Sequence, residues 1–249
     1  MKEKEYIFGI RAVIEAIEAG KTIDKVLVKH RLQGDLYKEL MSLLHLHDIP
    51  MQKVPIERLN RITRKNHQGV VAFTSAITYQ KLEQIIPFLW EQGKNPFIVL
   101  LDGVTDVRNF GAIARTCEVA GVDALVITSR GSVSVNADAI KTSSGALHTL
   151  PVCRQNSIKD AILFLKNSGI KVVASSDKAP LQHTETDMSV PVALVMGSED
   201  KGISTEAIRL CDSLVKIPQF GTIQSLNVSV AAGVVVYEVV RQRLAKGIS

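Results

Sequence analysis

Residues 97–129, "FIVLLDGVTDVRNFGAIARTCEVAGVDALVITS", predict a strand, a helix and a second strand. The first apolar run, FIVLLDGV, is continuous, as in strands that are buried on both faces of a parallel sheet. The segment NFGAIARTCEVAG is typical of a helix, and DALVITS is again typical of a strand. Because alternating strands and helices favour a parallel sheet with helices on both faces, this region indicates an α/β fold.

The same alternation continues toward the C-terminus. SIKDAILFLKNSG predicts a helix, KVVASSD and PVALVMGSED predict strands, and STEAIRLCD predicts a helix that begins at Ser204, a favourable N-cap residue. SLVKIP is a further strand. The last apolar segment contains the β-branched run GVVVYEVV, but its length and the residues around it favour a helix. A helix that is apolar on all sides is buried against the sheet or against another subunit.

The N-terminal part of the chain predicts a separate, small α/β domain over residues 1–76. IRAVIEAIEAG and GDLYKELMSLLHLHDI have helical apolar spacing, and DKVLVKH and GVVAFTS are typical of strands. Residues 77–95 predict a helical linker, and residues 96–249 form the second, larger domain. This division agrees with a chain of 249 residues, which suits one large domain or two modest ones.

Composition excludes several classes of protein. No apolar run reaches the roughly 18 residues that a membrane helix needs, and the N-terminus "MKEKEYIFGIRAV" has no apolar core of a signal peptide. The three cysteines form no C-x-x-C pair, and the histidines lack the spacing of metal ligands. We therefore expect no disulfide framework, no metal site and a reducing, cytoplasmic location.

Positive charge is concentrated in the N-terminal part. Residues 1–95 hold 15 Lys and Arg against 11 Asp and Glu, and the rest of the chain holds 15 against 14. The run "RLNRITRKNHQG" contains no acidic residue. It could be a solvated helix end or a surface that contacts phosphates. On the second interpretation, the candidate RNA-binding residues are Arg58, Arg61, Arg64 and Lys65.

Three polar loops follow strands of the predicted parallel sheet, at the edge where such sheets bind ligands. They lack the glycine spacing of a dinucleotide fingerprint and of a phosphate-binding P-loop. The loops are rich in glycine, which lets the backbone approach a ligand closely. Their polar and glycine residues are Asp106, Arg108, Asn109, Gly111 and Arg115; Gly197, Glu199 and Gly202; and Gln219, Gly221, Gln224, Ser225 and Asn227.

In order and content, "NFGAIARTCEVAGV", "LVMGSEDKGIS" and "IPQFGTIQSLNVSVAAGVVVYE" resemble the three motifs of the SpoU branch of the SPOUT RNA methyltransferases. The N-terminal part resembles the ribosomal-protein-like RNA-binding domain of the family's ribosomal RNA members. The resemblance implies S-adenosylmethionine-dependent methylation of a ribose 2′-oxygen in structured RNA, most specifically a guanosine of 23S ribosomal RNA. It also implies a parallel-sheet domain with a deep C-terminal trefoil knot, and a homodimer.

The resemblance also implies roles for single residues. Arg115 would act as a base or as a clamp for phosphate and the developing alkoxide, and Glu199 would hold Arg115 or accept from the substrate. Ser225 and Asn227 would position the ribose and the loop, and both could also cap the last helix. Arg108 is expected to contact RNA. The implied catalytic residues are Asn109, Arg115, Glu199, Ser225 and Asn227, and the implied cofactor-binding residues are Met196, Gly197, Ile217, Gln219, Gly221, Ser225 and Leu226.

Two other functions remain open at this point. The chain could methylate a guanosine ribose of transfer RNA, or it could be a non-catalytic RNA-binding module of ribosome assembly. The five intact motif residues favour an enzyme, and the basic N-terminal domain favours ribosomal RNA.

Overall fold

The computed structural model describes residues 6–129, 131–223 and 225–248, and these residues form two compact units. One unit holds residues 6–78 and 134–136. The other holds the remaining described residues from 79 onward. Each unit is built around its own sheet.

The N-terminal unit is a four-stranded sheet with the strand order β1-β4-β2-β3. Strands β2 and β3 are parallel, and β4 is antiparallel to both β1 and β2. Helices α1 and α2 pack on one face, where Ile14 and Leu40 are fully buried. Its elements are β1 Tyr6–Phe8, α1 Ile10–Glu18, β2 Ile23–Lys29, α2 Asp35–Leu46, β3 Met51–Val54, α3 Ile56–Ile62 and β4 Val70–Thr74.

The second unit is a seven-stranded parallel sheet with the order β7-β6-β5-β10-β8-β11-β9. Strands β5 and β10 lie at its centre and are almost wholly buried, as their continuous apolar sequences predict. Its elements are α4 Leu82–Glu91, β5 Phe97–Asp102, α5 Val107–Val119, β6 Ala124–Thr128, α6 Ala137–Thr142, a 3-10 turn Ala146–His148, β7 Val152–Gln155, α7 Ile158–Asn167, β8 Lys171–Ser175, β9 Leu181–Gln182, β10 Val192–Gly197, α8 Thr205–Leu210, β11 Ser213–Lys216 and α9 Val228–Ala245.

The α/β class with a parallel C-terminal sheet is confirmed, and the last apolar segment is the helix α9. Some details differ from the sequence-based prediction. Helix α5 begins at Val107, two residues before the predicted helical segment, because Asp106 caps it, so Arg108 lies in its first turn rather than in a loop. Strand β7, whose sequence VCRQ is half polar, was not predicted. The trefoil knot implied by the resemblance stays a prediction.

Residues 77–95, the predicted linker, contain a helix of the second unit. Leu82, Ile85, Ile86 and Leu89 of α4 are buried in the same hydrophobic cluster as the strands of the seven-stranded sheet. The segment is therefore packed as part of that unit, because its apolar stripe needs a partner surface. Among the described helices, none combines the length and the apolarity needed to span a membrane.

Candidate active site

Four strands of the large sheet end side by side at one edge. Strand β10 pairs with β5 so that Gly197 aligns with Asp102, and it pairs with β8 on its other side. Strand β11 follows next to β8. Because all four strands are parallel, the segments that leave their carboxyl ends share one edge of the sheet, where open α/β sheets bind ligands.

The turn after β10 requires glycine at position 197. A Cβ atom there would lie 2.2 Å from the carbonyl carbon of Gly202 and 2.3 Å from the amide nitrogen of Ile203. The backbones of Ser198 and Gly202 hydrogen-bond to each other in both directions, which closes the tight loop that causes this contact. The loop therefore folds back onto the end of β10 and brings Glu199 to the edge of the sheet.

The amide group of Asn227 joins the three sequence motifs. Its Nδ2 donates to Oδ1 of Asn109 at 3.0 Å and also to Oε1 of Glu199. Both hydrogens of the amide are therefore used, one for each of the other two motifs. Asn109 is itself held by Asp106, which accepts from the backbone amides of Asn109 and Arg108 and whose pKa these hydrogen bonds lower.

The same contacts cap helix α9. Oδ1 of Asn227 accepts from the backbone amide of Ser229 at 2.9 Å and from its hydroxyl at 2.5 Å. Oε1 of Glu199 lies 3.4 Å from the amide nitrogen of Val228. The capping role that the sequence allowed for Asn227 is thus present together with its side-chain contacts. Glu199 thus contributes to the cap of α9, and Ser204 caps α8.

Arg115 is exposed on α5 and forms neither a hydrogen bond nor an ion pair with a described residue. The expectation that Glu199 holds Arg115 is not met within the described residues, because Glu199 binds Asn227 and Val228 instead. The guanidinium is therefore available to an anion from outside the chain.

A cavity of about 360 Å³ lies beside this network. Six of the seven residues expected to bind the cofactor line it. Gly221 does not line it and is exposed, with nothing within 4 Å of the position that a Cβ atom would take, so the structure gives it no contact with the cavity. The six expected residues that line the cavity are Met196, Gly197, Ile217, Gln219, Ser225 and Leu226, and Glu199 lines it as well.

The loop after β8 is a part of this cavity that the sequence analysis missed. Ser175, Ser176, Asp177 and Lys178 line the cavity wall. The sequence signal that could have found this loop is the set of hydroxyl, carboxylate and ammonium groups directly after the buried strand β8, since β8 ends at the same edge as β10. The position of β8 next to β10 could not be known without the strand order. Gln224 lies outside the described residues.

The basic residues are divided between the two units. Arg58 and Arg61 lie on α3 of the N-terminal unit, and Arg64 and Lys65 follow it; all four side chains are exposed. Arg61 and Arg64 line a surface concavity together with Glu57 and Asn60. Arg108 belongs to the second unit, where its guanidinium lies 3.9 Å from Asp106. Within the described parts of the chain, no three His, Cys, Asp or Glu side chains form a group that could hold a metal ion.

Comparison with known proteins identifies a family that this chain matches. The model of the "SpoU rRNA Methylase family" matches residues 96–237, and the model "RNA 2'-O ribose methyltransferase substrate binding" matches residues 6–80. A protein of Staphylococcus saprophyticus assigned to the TrmH family of tRNA/rRNA methyltransferases is 34% identical over 241 residues, which cover 97% of each chain.

Solved structures agree with the family models. The rRNA methyltransferase of Sinorhizobium meliloti, crystallised with AdoMet, is 27% identical, has a TM-score of 0.60 and covers 95% of this chain and 86% of its own. The SpoU methyltransferase AviRb of Streptomyces viridochromogenes, also with AdoMet, has a TM-score of 0.62 at 24% identity over 96% of this chain and 90% of its own. At 24% identity, the likeness to AviRb shows a shared fold alone.

The expected enzyme class and cofactor are thus confirmed at the level of the family. Because the methylase model covers more than half of the chain and the curated relative nearly all of it, the chain belongs to the SpoU family of S-adenosylmethionine-dependent RNA methyltransferases.

Proposed function

We propose that this chain methylates the ribose 2′-oxygen of a guanosine in 23S ribosomal RNA. The observation that carries the proposal is the hydrogen-bonded set Asn109–Asn227–Glu199, which lies at the carboxyl edge of the sheet and borders the cavity. Such a set would hold the polar groups of three distant segments in one fixed arrangement. Fixed orientation of two reactants can lower a barrier by roughly 7–11 kcal/mol.

The cavity suits S-adenosylmethionine by its chemistry. Met196, Ile217 and Leu226 give apolar walls for a flat base, and the hydroxyls and the carboxylate of Ser176 and Asp177 are partners for a ribose and an amino group. When bound, S-adenosylmethionine supplies a methyl group on a positively charged sulfur. The narrow space at Gly197 brings backbone rather than a side chain to the cavity wall.

We assign Arg115 the role of a clamp. An arginine side chain keeps its positive charge in proteins and binds phosphate through two parallel hydrogen bonds. The exposed guanidinium, which pairs with no residue that the structure describes, would hold the RNA backbone and stabilise negative charge that develops on the 2′-oxygen. Oε2 of Glu199 has no hydrogen-bond partner among the described residues and is a candidate acceptor for the hydroxyl proton.

Ribosomal RNA is proposed because a second, basic unit precedes the catalytic one. Arg58, Arg61, Arg64 and Lys65 present four exposed positive charges within eight consecutive residues, as expected of a surface that contacts phosphates. The curated relative is assigned to tRNA/rRNA methyltransferases, so transfer RNA is the second candidate substrate.

We also propose that the chain forms a homodimer. Val230, Val234 and Tyr237 lie three or four residues apart on α9 and are exposed, which makes one apolar stripe on that helix. Val119 at the end of α5, the helix that packs against α9, is exposed as well. In a two-fold arrangement, the apolar stripe and Val119 of one copy would be covered by the same residues of a second copy. A cytoplasmic location and a role in ribosomal RNA processing complete the proposal.

The test is transfer of labelled methyl from S-adenosylmethionine to unmodified ribosomal RNA and, separately, to unmodified transfer RNA. Label that survives alkali as a 2′-O-methyl dinucleotide in ribosomal RNA, and that is lost in Arg115→Ala, is the expected result. Label in transfer RNA alone would make transfer RNA the substrate in place of ribosomal RNA. Cofactor binding with no label in either RNA would favour the non-catalytic module.

A further inference from the structure

Three aromatic rings share one face of the N-terminal sheet. Tyr6 and Phe8 are two residues apart on β1 and so point to the same side of the sheet. Phe73 on β4 lies directly opposite Tyr6 in the strand register. The ring centroids of Tyr6 and Phe8 are 6.4 Å apart, and those of Tyr6 and Phe73 are 6.5 Å apart. The ring planes are tilted by 45° and 58° to each other, so the rings form a cluster centred on Tyr6, which we call the aromatic face.

The described residues of the N-terminal unit cover this face only in part. Helices α1 and α2 pack on the opposite side of the sheet. On the aromatic side, α3 covers a small cluster in which Leu59 meets Leu27 and Val71. Tyr6, Phe8 and Phe73 pack at the border of that cluster, and each keeps part of its surface exposed.

Two lysines accompany the rings. Lys25 pairs with Phe73 across β2 and β4, and its Nζ lies 5.3 Å from the centroid of the Phe73 ring. This Nζ also donates to Oγ of Ser134 at 3.0 Å, which leaves two of its three hydrogens for a phosphate. Nζ of Lys65 lies 6.0 Å from the centroid of the Phe8 ring. Lys65 is also the last member of the basic run that begins at Arg58. The aromatic face is thus continuous with a surface of positive charge, a combination that does not suit an apolar protein partner.

Aromatic rings beside cations match the chemistry of an unpaired nucleotide. A base offers a flat π surface for stacking, and its phosphate offers a negative charge within reach of a lysine. In a duplex the bases are already stacked on each other, so this mode of binding selects loops, bulges and single strands. We propose that the aromatic face binds unpaired nucleotides of the RNA substrate by stacking on Tyr6, Phe8 and Phe73, while Lys25 and Lys65 contact phosphates.

The inference rests on the proposed function, since it names the part of the RNA that the N-terminal unit recognises. The test uses the full chain and an adenosine–cytidine oligonucleotide of about twelve nucleotides, which cannot pair with itself and is within the site sizes of single-strand binders. One adenosine is replaced by 2-aminopurine, whose fluorescence is quenched when it stacks. The same oligonucleotide annealed to its complement is the paired probe.

The variant is Tyr6→Leu/Phe73→Leu, because leucine keeps apolar volume at the border of the cluster but removes the π surface. The matched control is Phe88→Leu, which removes an exposed aromatic ring from α4 of the other unit. Thermal unfolding and S-adenosylmethionine binding are measured on each protein, so that a folding defect is recognised. Lys25→Gln/Lys65→Gln tests the charges through the salt dependence of binding.

We expect wild type and Phe88→Leu to bind the unpaired probe with quenching, and the double leucine variant to bind it about five-fold to one hundred-fold more weakly, the range that loss of one stacked base gives. In the lysine variant, the slope of the logarithm of the binding constant against the logarithm of the salt concentration should be smaller by about one to two. Equal binding of wild type and the leucine variant, unchanged quenching, or preference for the duplex would overturn the inference. Methyl transfer to structured RNA separates the two proposals: its absence in wild type refutes the function, whereas normal transfer with no binding of the unpaired probe refutes the aromatic face alone.

Discussion

The side chain of Asn227 hydrogen-bonds to that of Asn109 over a separation of 118 residues, at 3.0 Å. The contact joins the N-terminal ends of α5 and α9, and through Glu199 it reaches the loop after β10 as well. A change at Asn227 should therefore act on catalysis and on helix capping through different atoms of one side chain, and these effects can be separated.

Asn227→Asp should keep the cap and lose the network. Aspartate is as good an N-cap as asparagine, so the bonds from Ser229 are retained. The new carboxylate faces Glu199, however, and cannot donate to it or to Asn109. We expect the methyl transfer rate to fall by at least about ten-fold, which corresponds to roughly 1.4 kcal/mol, with a smaller effect on thermal stability. Ser229→Ala is the control, and it should leave the rate within about two-fold because it removes only a capping partner. Equal rates in wild type and Asn227→Asp would contradict the role of the network.

Arg115→Ala should abolish turnover without changing stability. Its side chain is exposed and has no described partner, and substitutions at such surface positions change the free energy of unfolding by about 0.5 kcal/mol or less. Arg115→Lys should retain part of the activity, because a lysine keeps the charge but cannot bind phosphate in a bidentate way. Arg209→Ala, on the exposed side of α8, is the matched control for loss of one positive charge. The measurements are the initial rates of methyl transfer and the midpoints of unfolding. Turnover in Arg115→Ala would exclude both the clamp and the base.

Gly197→Ala should prevent cofactor binding. The added methyl group would meet the backbone of Gly202 at 2.2 Å, so the loop that lines the cavity has to move. Gly221→Ala is the contrast: nothing lies within 4 Å of its added Cβ, and the residue does not line the cavity. Titration calorimetry with S-adenosylmethionine should show loss of binding in the first variant and affinity within about two-fold of wild type in the second. Loss of affinity in both would restore Gly221 to the cofactor site.

Stability should depend on the charge of Glu238 at acid pH. This buried carboxylate on α9 accepts from Arg241 and Gln242, and the hydrogen bond from Arg241 is the main reason that its pKa lies below the usual value for glutamate. A lowered pKa in the folded state means that the charged group stabilises the protein at neutral pH. That stabilisation is lost as the pH falls through the usual glutamate pKa, near 4.3, and below it. Glu238→Gln should therefore be less stable than wild type at pH 7, and the difference should shrink below about pH 4. Glu91→Gln, an exposed change on α4, should show no such convergence in urea unfolding across this pH range.

Tyr237→Glu should convert the proposed homodimer into monomers. The substitution places a charge on the exposed apolar stripe of α9, where a like charge from the second copy would lie nearby in a two-fold interface. Sedimentation equilibrium should give twice the chain mass for wild type and the single chain mass for the variant. Leu46→Glu, at the exposed end of α2, is the control for adding a charge to an apolar surface. A monomeric wild type would refute the dimer.

Local patterns in the sequence were sufficient for the class of fold, and the family motifs named six described residues that line the cavity. The run FIVLLD is typical of a doubly buried strand, and Gly197, Ser225 and Asn227 lie in motifs that are recognisable without coordinates. Strand β7 was missed because VCRQ has neither a continuous apolar run nor a strict alternation. Gly221 belongs to a matching motif yet lies outside the cavity, since a motif records order along the chain and not the path of the loop in space.

The tertiary structure alone decided which distant side chains meet. Sequence patterns carry information about neighbours a few residues apart, whereas the order of strands in a sheet is set by long-range packing. Only that order places the β8 loop of Ser176 and Asp177 beside β10, and only the antiparallel register of β1 and β4 places Tyr6 opposite Phe73. The amino-acid sequence thus predicted most of the elements and named the candidate reacting groups, and the packing of those elements determined the cavity, the hydrogen-bonded set around Asn227 and the aromatic face.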